Sequence, residues 1–291
     1  MDRRQAITQL TALLLTSSAR NSTPLVTEAS RGQTGGGLER IGLALYTVRE
    51  PLAQNFEETL AQIAAIGYQE VEGAFNWHGR APEHVRRTLE ENQLRAVSQV
   101  LLPKQIQEEW PKSLEEAATI GLEYVGCVGA YPLEEWARSL DDYRRLADML
   151  NRAGEVSSKV GVKVFYHFHD VEFVPLEGRA PFDVLVEELD SAVVDLEMDL
   201  FWMIRAGKEP IEFLRAYPGR FTMFHVKDMD RSQPEPRSTE VGRGVIDSQR
   251  IWPEVLRLGG GHFFVEQEDG LEDPIQSVRL SYDYLSSLRI E

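Results

Sequence analysis

From Ile41 onward, short apolar runs rich in β-branched and aromatic residues alternate with longer stretches in which apolar positions recur every three or four residues. The runs are IGLALYT (41–47), EVEGAF (70–75), RAVSQVLL (95–102), EYVGCVG (123–129), VKVFYHF (162–168), AVVDLEMDL (192–200), FTMFHVK (221–227) and HFFVEQE (262–268). Several are nearly continuous in apolar character, as strands buried on both faces of a parallel sheet are. Between them lie helical patterns at 55–67, 82–93, 113–121, 139–161, 182–189, 209–219, 248–260 and 273–288. In the first, Phe56, Leu60, Ile63 and Ile66 form one face and Gly67 supplies the stop. Ser139 and Asp142 have the spacing of a capping box. Eight strands alternating with helices in roughly 250 residues predict an α/β protein built as a single (β/α)₈ TIM barrel, here over 39–291. An open doubly wound sheet alternates in the same way, but no glycine-rich dinucleotide fingerprint follows the first strand. The polar stretch SQPEPRSTEVGRGVID (232–247) reads as an active-site loop between the last two strands.

Residues 1–38 have a different pattern. Arg3 and Arg4 precede the moderately apolar AITQLTALLLTSSA, and a polar, glycine-rich segment continues through Gly37. This leader resembles a twin-arginine export signal, so the expected location is the periplasm or cell envelope, or the cytoplasm if the leader does not function. No later segment is long and apolar enough to span a membrane.

With 291 residues, 42% of them hydrophobic and 27% charged, the chain can bury a large core without disulfide staples. Its one cysteine, Cys127, sits in YVGCV and reads as a small core hydrophobe. The net charge of −16, without a Lys/Arg cluster, argues against a nucleic-acid partner. It favours a neutral small molecule, or an anionic one held by a few groups or a metal. A homo-oligomer stays open.

Barrel enzymes carry their sites at the C-terminal ends of the strands. Four of the later runs end in metal-binding side chains: VFYHFHD (164–170), VDLEMDLFW (194–202), FHVKD (224–228) and FFVEQED (263–269). If these strands lie side by side, His167, Asp199, His225 and Glu266 converge as a mixed nitrogen and oxygen site. Such a set suits Mn²⁺ first, with Zn²⁺, Co²⁺ or Mg²⁺ as alternatives, over Ca²⁺, which prefers oxygen alone. His167 and His169 share a strand face, as do Glu197 and Asp199. Glu197, deeper, reads as support for a His or an Arg, and Asp199 has the alternative reading of a helix N-cap. Lys227 suits a polar substrate oxygen or a salt bridge with Asp228 or Glu266. Glu72, at the second strand end, is a candidate base, a partner to a ligand, or a salt-bridging residue. Tyr46, Phe75, Gln99 and Trp202 are candidate substrate contacts, with packing as the alternative for the aromatic ones. Gly242-Arg243-Gly244 reads as a turn or as a close approach to a ligand.

Together, LALYTVRE, GYQEVEGA, YHFHDVEF, EMDLFWMIRAGKEP, GRFTMFHVKDM, VGRGVID and FFVEQED resemble the xylose isomerase-like barrel superfamily, specifically its sugar phosphate isomerase/epimerase group. The resemblance covers about 40–287. It implies that His167, Asp199, His225 and Glu266 hold one divalent metal. Many members have Glu at the first place. Members with a YHNHD-type motif share His167, and here Phe168 replaces the middle Asn. The resemblance further implies a carbohydrate isomerase or epimerase that abstracts a proton next to a carbonyl and stabilises the enediolate with the metal. Glu266 would be one proton-moving group, and His169 or Glu72, with Lys227 nearby, would complete the catalytic set. A lyase or dehydratase acting on a keto-sugar, 3-keto-glycoside or inosose starts from the same enolisation. An endonuclease IV-like phosphodiesterase needs more metal ligands than six histidines readily provide, and a noncatalytic sugar-binding barrel would be expected to lack one of the four.

Overall fold

A computed structural model describes residues 38, 40–129, 138–258 and 260–289; all but the last residue of the proposed leader lies outside them. The strands in chain order are β1 (Gly42–Ala44), β2 (Glu70–Ala74), β3 (Arg95–Leu101), β4 (Tyr124–Val128), β5 (Lys163–His167), β6 (Val194–Asp199), β7 (Phe221–Val226), β8 (Asp228–Asp230), β9 (Arg237–Thr239) and β10 (His262–Val265). Eight of them close a parallel barrel in the order β1-β10-β7-β6-β5-β4-β3-β2, while β8 and β9 form a separate antiparallel pair. The expected TIM barrel is therefore the observed fold.

The strands are shorter than the apolar runs. Leu45–Val48 leave β1 as a 3₁₀ turn, and β10 ends at Val265, so Glu266 stands just past the last strand. The expected helices are present with trimmed ends. The third begins at Pro103 rather than Ser113, because Pro111 inside Pro103–Ile120 breaks the helical signature without ending the helix. Ser139 and Asp142 form the capping box reciprocally: the Ser139 side chain accepts from Asp142 N and the Asp142 carboxylate from Ser139 N. Among the described residues, two α-helices were not expected, Arg49–Gln54 and Leu200–Arg205.

Alternation along each strand separates two cores. Val164, Tyr166, Leu196, Met198, Phe224 and Val226 join the layer between barrel and helices. Phe165, Met223 and Phe264 belong to the barrel interior. Two residues on from these lie His167, His225 and Glu266, so the same parity carries them to the mouth. Phe168, on the opposite parity, is buried against Phe173, Phe182 and Phe221. The residue that replaces the motif's Asn therefore packs under the helices and does not face the mouth.

Candidate metal centre and substrate cavity

His167 and His225 are each gripped at one ring nitrogen by a buried carboxylate. His167 Nδ1 lies 2.8 Å from Glu197 Oε2, and His225 Nε2 lies 2.7 Å from Glu72 Oε1. The other nitrogens turn toward one oxygen: His167 Nε2 is 3.8 Å and His225 Nδ1 3.7 Å from Asp199 Oδ2. The rings are 4.5 Å apart. Asp199 divides its carboxylate. Oδ1 accepts from Trp202 N at 3.0 Å, capping Leu200–Arg205, while Oδ2 faces the histidines. One side chain thus serves as the helix cap and turns its second oxygen to the two histidines. Glu266 Oε2 lies 2.8 Å from His225 Nδ1. His167, Asp199 and His225 offer atoms within 4.8 Å of one another, whereas Glu266 groups with Asp199 and Glu268.

Lys227 completes the cluster. Its buried ammonium is 2.7 Å from Asp199 Oδ2 and 2.6 Å from Glu266 Oε2, and it also contacts Glu268. The Glu266 alternative for its salt bridge is therefore present. Asp228 instead accepts from backbone N–H groups of the loop at 242–246. Glu268 also accepts from Trp202 Nε1 at 3.3 Å. It was missed in the sequence, although it shares the parity of Glu266, two residues earlier.

Burial decides most proton affinities here. It pushes His167 down to about 3, with His225 adding to the effect. His169 is lowered by burial and then by His167, so both imidazoles are neutral near pH 7. Burial opposes charge on His225, but Glu197, Glu266 and Glu72 together hold its pKa well above the usual range. Burial raises Glu197 to about 7, with Glu266 and Asp199 adding to the rise. Glu266 is held low, against burial, by His225 and Lys227. Burial raises Glu268, and burial and then Glu197 raise Glu72.

The donor set fits a divalent cation. Asp199 Oδ2 and His225 Nδ1 are buried without an aligned hydrogen bond, and their near partners are the charged groups Lys227 Nζ at 2.7 Å and Glu266 Oε2 at 2.8 Å. Neutral His167 donates Nδ1–H to Glu197, which leaves a lone pair on Nε2 facing a carboxylate oxygen. A histidine held through its second nitrogen by a carboxylate is the usual arrangement at a metal.

A cavity of about 350 Å³ opens beside the cluster, lined by His167, His169, His225, Glu266, Glu268 and Glu72 on one side and by Tyr46, Phe75 and Trp202 among the others. His169 lies 4.9 Å from the His167 ring and 4.7 Å from the Trp202 ring, tilted by 30° from the latter. Its backbone N–H donates to Glu172 at 2.8 Å. Glu72 reaches the cavity wall with both oxygens engaged, since Oε2 accepts from Ser98 Oγ at 2.6 Å. Gln99 does not line the cavity; its Oε1 accepts from Trp77 Nε1 at 3.1 Å. His84 is paired with Glu57 and Arg87, away from the site.

A family model described as xylose isomerase-like TIM barrel matches residues 60–288. An inosose dehydratase of Geobacillus kaustophilus is 27% identical over 177 residues, which cover 54% of this chain and 57% of that protein. The chain thus spans little more than half the length of this curated relative. A solved sugar phosphate isomerase/epimerase from Parabacteroides distasonis superposes with a TM-score of 0.75 at 21% identity, covering 92% of this chain and 99% of that one. The IOLI protein, whose structure has a zinc atom bound, superposes at 0.66 with 16% identity, covering 85% and 98%.

Proposed function

Because the chain belongs to the xylose isomerase-like TIM barrel family, we propose that it is a metal-dependent carbohydrate isomerase or epimerase that removes the proton next to a substrate carbonyl. The observation that carries this reading is the pair of histidines anchored by Glu197 and Glu72, with His167 Nε2 turned to Asp199 Oδ2 and His225 Nδ1 turned to Asp199 Oδ2 and, closer, Glu266 Oε2. His167, Asp199, His225 and Glu266 would hold the ion, Mn²⁺ first and Zn²⁺, Co²⁺ or Mg²⁺ as alternatives. When bound, it supplies Lewis acidity that lowers the cost of negative charge on the substrate oxygens.

The chain's own residues do the rest. Trp202, Phe75 and Tyr46 give the sugar an apolar wall. Glu266, held ionised, and neutral His169 both accept protons and border the same cavity. Lys227 balances the charge of Asp199, Glu266 and Glu268. Glu72 acts through His225, because its two oxygens are held by His225 and Ser98. A small carbohydrate is the substrate; the acidic chain is not assigned a nucleic-acid partner. Export through the twin-arginine-like leader is part of the proposal, and replacing Arg3 and Arg4 by Lys should shift the protein to the cytoplasmic fraction.

A dehydratase is the second reading, favoured by the name of the curated relative and by Glu268. A dehydration needs one group to take the proton and another to protonate the departing hydroxyl, and burial makes Glu268 hold a proton more readily than an ordinary carboxylate. Mn²⁺-loaded protein in D₂O, offered keto-sugars, 3-keto-glycosides and inososes, separates these readings. Deuterium in a product isomeric with the substrate supports the isomerase, and loss of water the dehydratase. No exchange with any of them overturns the enolisation chemistry. His225→Ala and Glu266→Ala should each lose bound metal by plasma mass spectrometry, and full metal content in both would sink the ligand assignment.

A further inference from the structure

A second cavity, of about 210 Å³, adjoins the first; Leu45, Arg49, Leu52, Trp77 and His78 line it, and the two cavities share Tyr46, Ala74 and Phe75. The Tyr46 and Phe75 rings meet edge to face, 5.9 Å between centroids at 90°, so an aromatic partition borders both spaces. The inner cavity alone is at the low end of the roughly 300–1,000 Å³ of small-molecule sites. The outer one extends it away from the metal cluster.

The loop that builds the outer cavity is held against its local preferences. Phe75 and His78 have φ of +54° and +51°, left-handed values in residues other than glycine. Such conformations cost on the order of 1 kcal/mol or more each and persist only where the surroundings enforce them. Here Phe75 N–H donates to Val100 O at 2.7 Å, and Phe75 O accepts from Gln105 Nε2 at 3.0 Å. The Trp77 indole is fixed at both ends. It lies over Gly73, where a Cβ would come within 2.6 Å of the ring, and its Nε1 donates to Gln99. Gln99, expected at the substrate, therefore acts by setting the indole. Four rings, from Tyr46, Phe75, Trp77 and His78, consequently border one small chamber. Arg49 stacks over the Tyr46 ring at 4.4 Å and donates to Tyr46 O at 2.9 Å, which commits part of its guanidinium to the wall. That commitment favours a neutral ring over a phosphate as the occupant.

We propose that the outer cavity is a subsite for a second ring joined to the sugar, so that the substrate is a glycoside rather than a free monosaccharide. This rests on the carbohydrate reading above. The test is calorimetric titration of the Mn²⁺-loaded full chain with methyl 3-keto-β-glucoside, phenyl 3-keto-β-glucoside and 3-ketocellobiose, with deuterium exchange monitored in the same samples. At least one two-ring probe should bind about tenfold or more tighter than the methyl probe, as expected for added ring stacking. Preference for the phenyl probe assigns an aromatic aglycone; preference for 3-ketocellobiose assigns a second sugar. His78→Gly, which keeps the backbone conformation and removes a ring, and Asn76→Trp, which fills the chamber, should erase the preference and leave methyl-probe affinity unchanged. Equal affinities, no binding, or a preference that survives both variants overturns the subsite. A preference without exchange overturns the enolisation reading and keeps the subsite; exchange without a preference does the reverse.

Discussion

A lone pair on an imidazole nitrogen and a carboxylate oxygen repel unless a cation or a proton lies between them. His167 Nε2 and Asp199 Oδ2 face each other in this way because Glu197 takes the opposite nitrogen. Glu197→Gln keeps the shape and weakens that grip. It should lower Mn²⁺ affinity by about 10–100-fold in equilibrium dialysis, and an unchanged affinity would show that Glu197 does not orient the ring toward a metal. Lys227 holds together the acids on the other side. Lys227→Met leaves Asp199, Glu266 and Glu268 crowded without it and should destabilise the metal-free protein by about 3–5 kcal/mol, measured by urea unfolding. Added Mn²⁺ should restore part of the loss; a wild-type midpoint in the metal-free variant would refute the charge-balancing role. Much of this cluster was legible in the sequence, because a His or an acid ending an apolar run is expensive to bury without a partner. Glu268 and Trp77 were not. The first closes the run HFFVEQE (262–268), where Glu266 two residues earlier already carries the metal-binding reading. The second depends on a turn at Phe75–His78 whose left-handed residues carry no glycine signal.

At the scale of elements, period-two alternation made the barrel strands legible, while the segments leaving the strand ends were masked by runs that continue past them. Leu200 closes the run read as the sixth strand (192–200), and Phe201 and Trp202 prolong its apolar character, so the short helix from Leu200 was not expected, although its cap, Asp199, was weighed as one. The polar stretch 232–247 reads as an active-site loop. Part of it is β9, paired with β8, and Asp228 fixes the remainder: its carboxylate accepts from Met229 N at 2.8 Å and from Gly242 N and Ile246 N at 2.9 Å. Gly242 and Gly244 serve that packing, since a Cβ at the first would strike Tyr284 and at the second Asp228 itself. Asp228→Ala strips acceptors from three backbone donors, each worth about 1–3 kcal/mol when buried and unpaired. Amide hydrogen exchange at 241–246 should rise sharply in this variant while β5 and β6 keep their protection. Equal protection of 241–246 in variant and wild type would mean that other contacts hold the loop.

For the whole molecule, the barrel separates two charged clusters by its length: the mouth gathers acids around histidines and Lys227, and the floor ties strands together. At the floor Glu70 of β2 meets His262 Nδ1 of β10 at 2.7 Å, Arg95 of β3 at 2.9 Å and Arg40 at 3.4 Å. Burial works to raise the Glu70 pKa, but His262, Arg95 and Arg40 together bring it below its ordinary value. A carboxylate whose pKa is depressed on folding adds stability above its unfolded pKa and loses it as pH falls through the folded value. The contribution of Glu70 is therefore present at neutral pH and fades below the unfolded carboxylate value of about 4.3. Glu70→Gln keeps the volume and removes the charge, so it should lower the urea midpoint of the metal-free protein at pH 7. The difference from wild type should shrink steadily as both are acidified below about pH 4.3, while groups at the mouth titrate alike in both proteins and cancel. A difference that stayed constant on acidification would assign the loss to packing and remove ionised Glu70 as the tie between β2, β3 and β10.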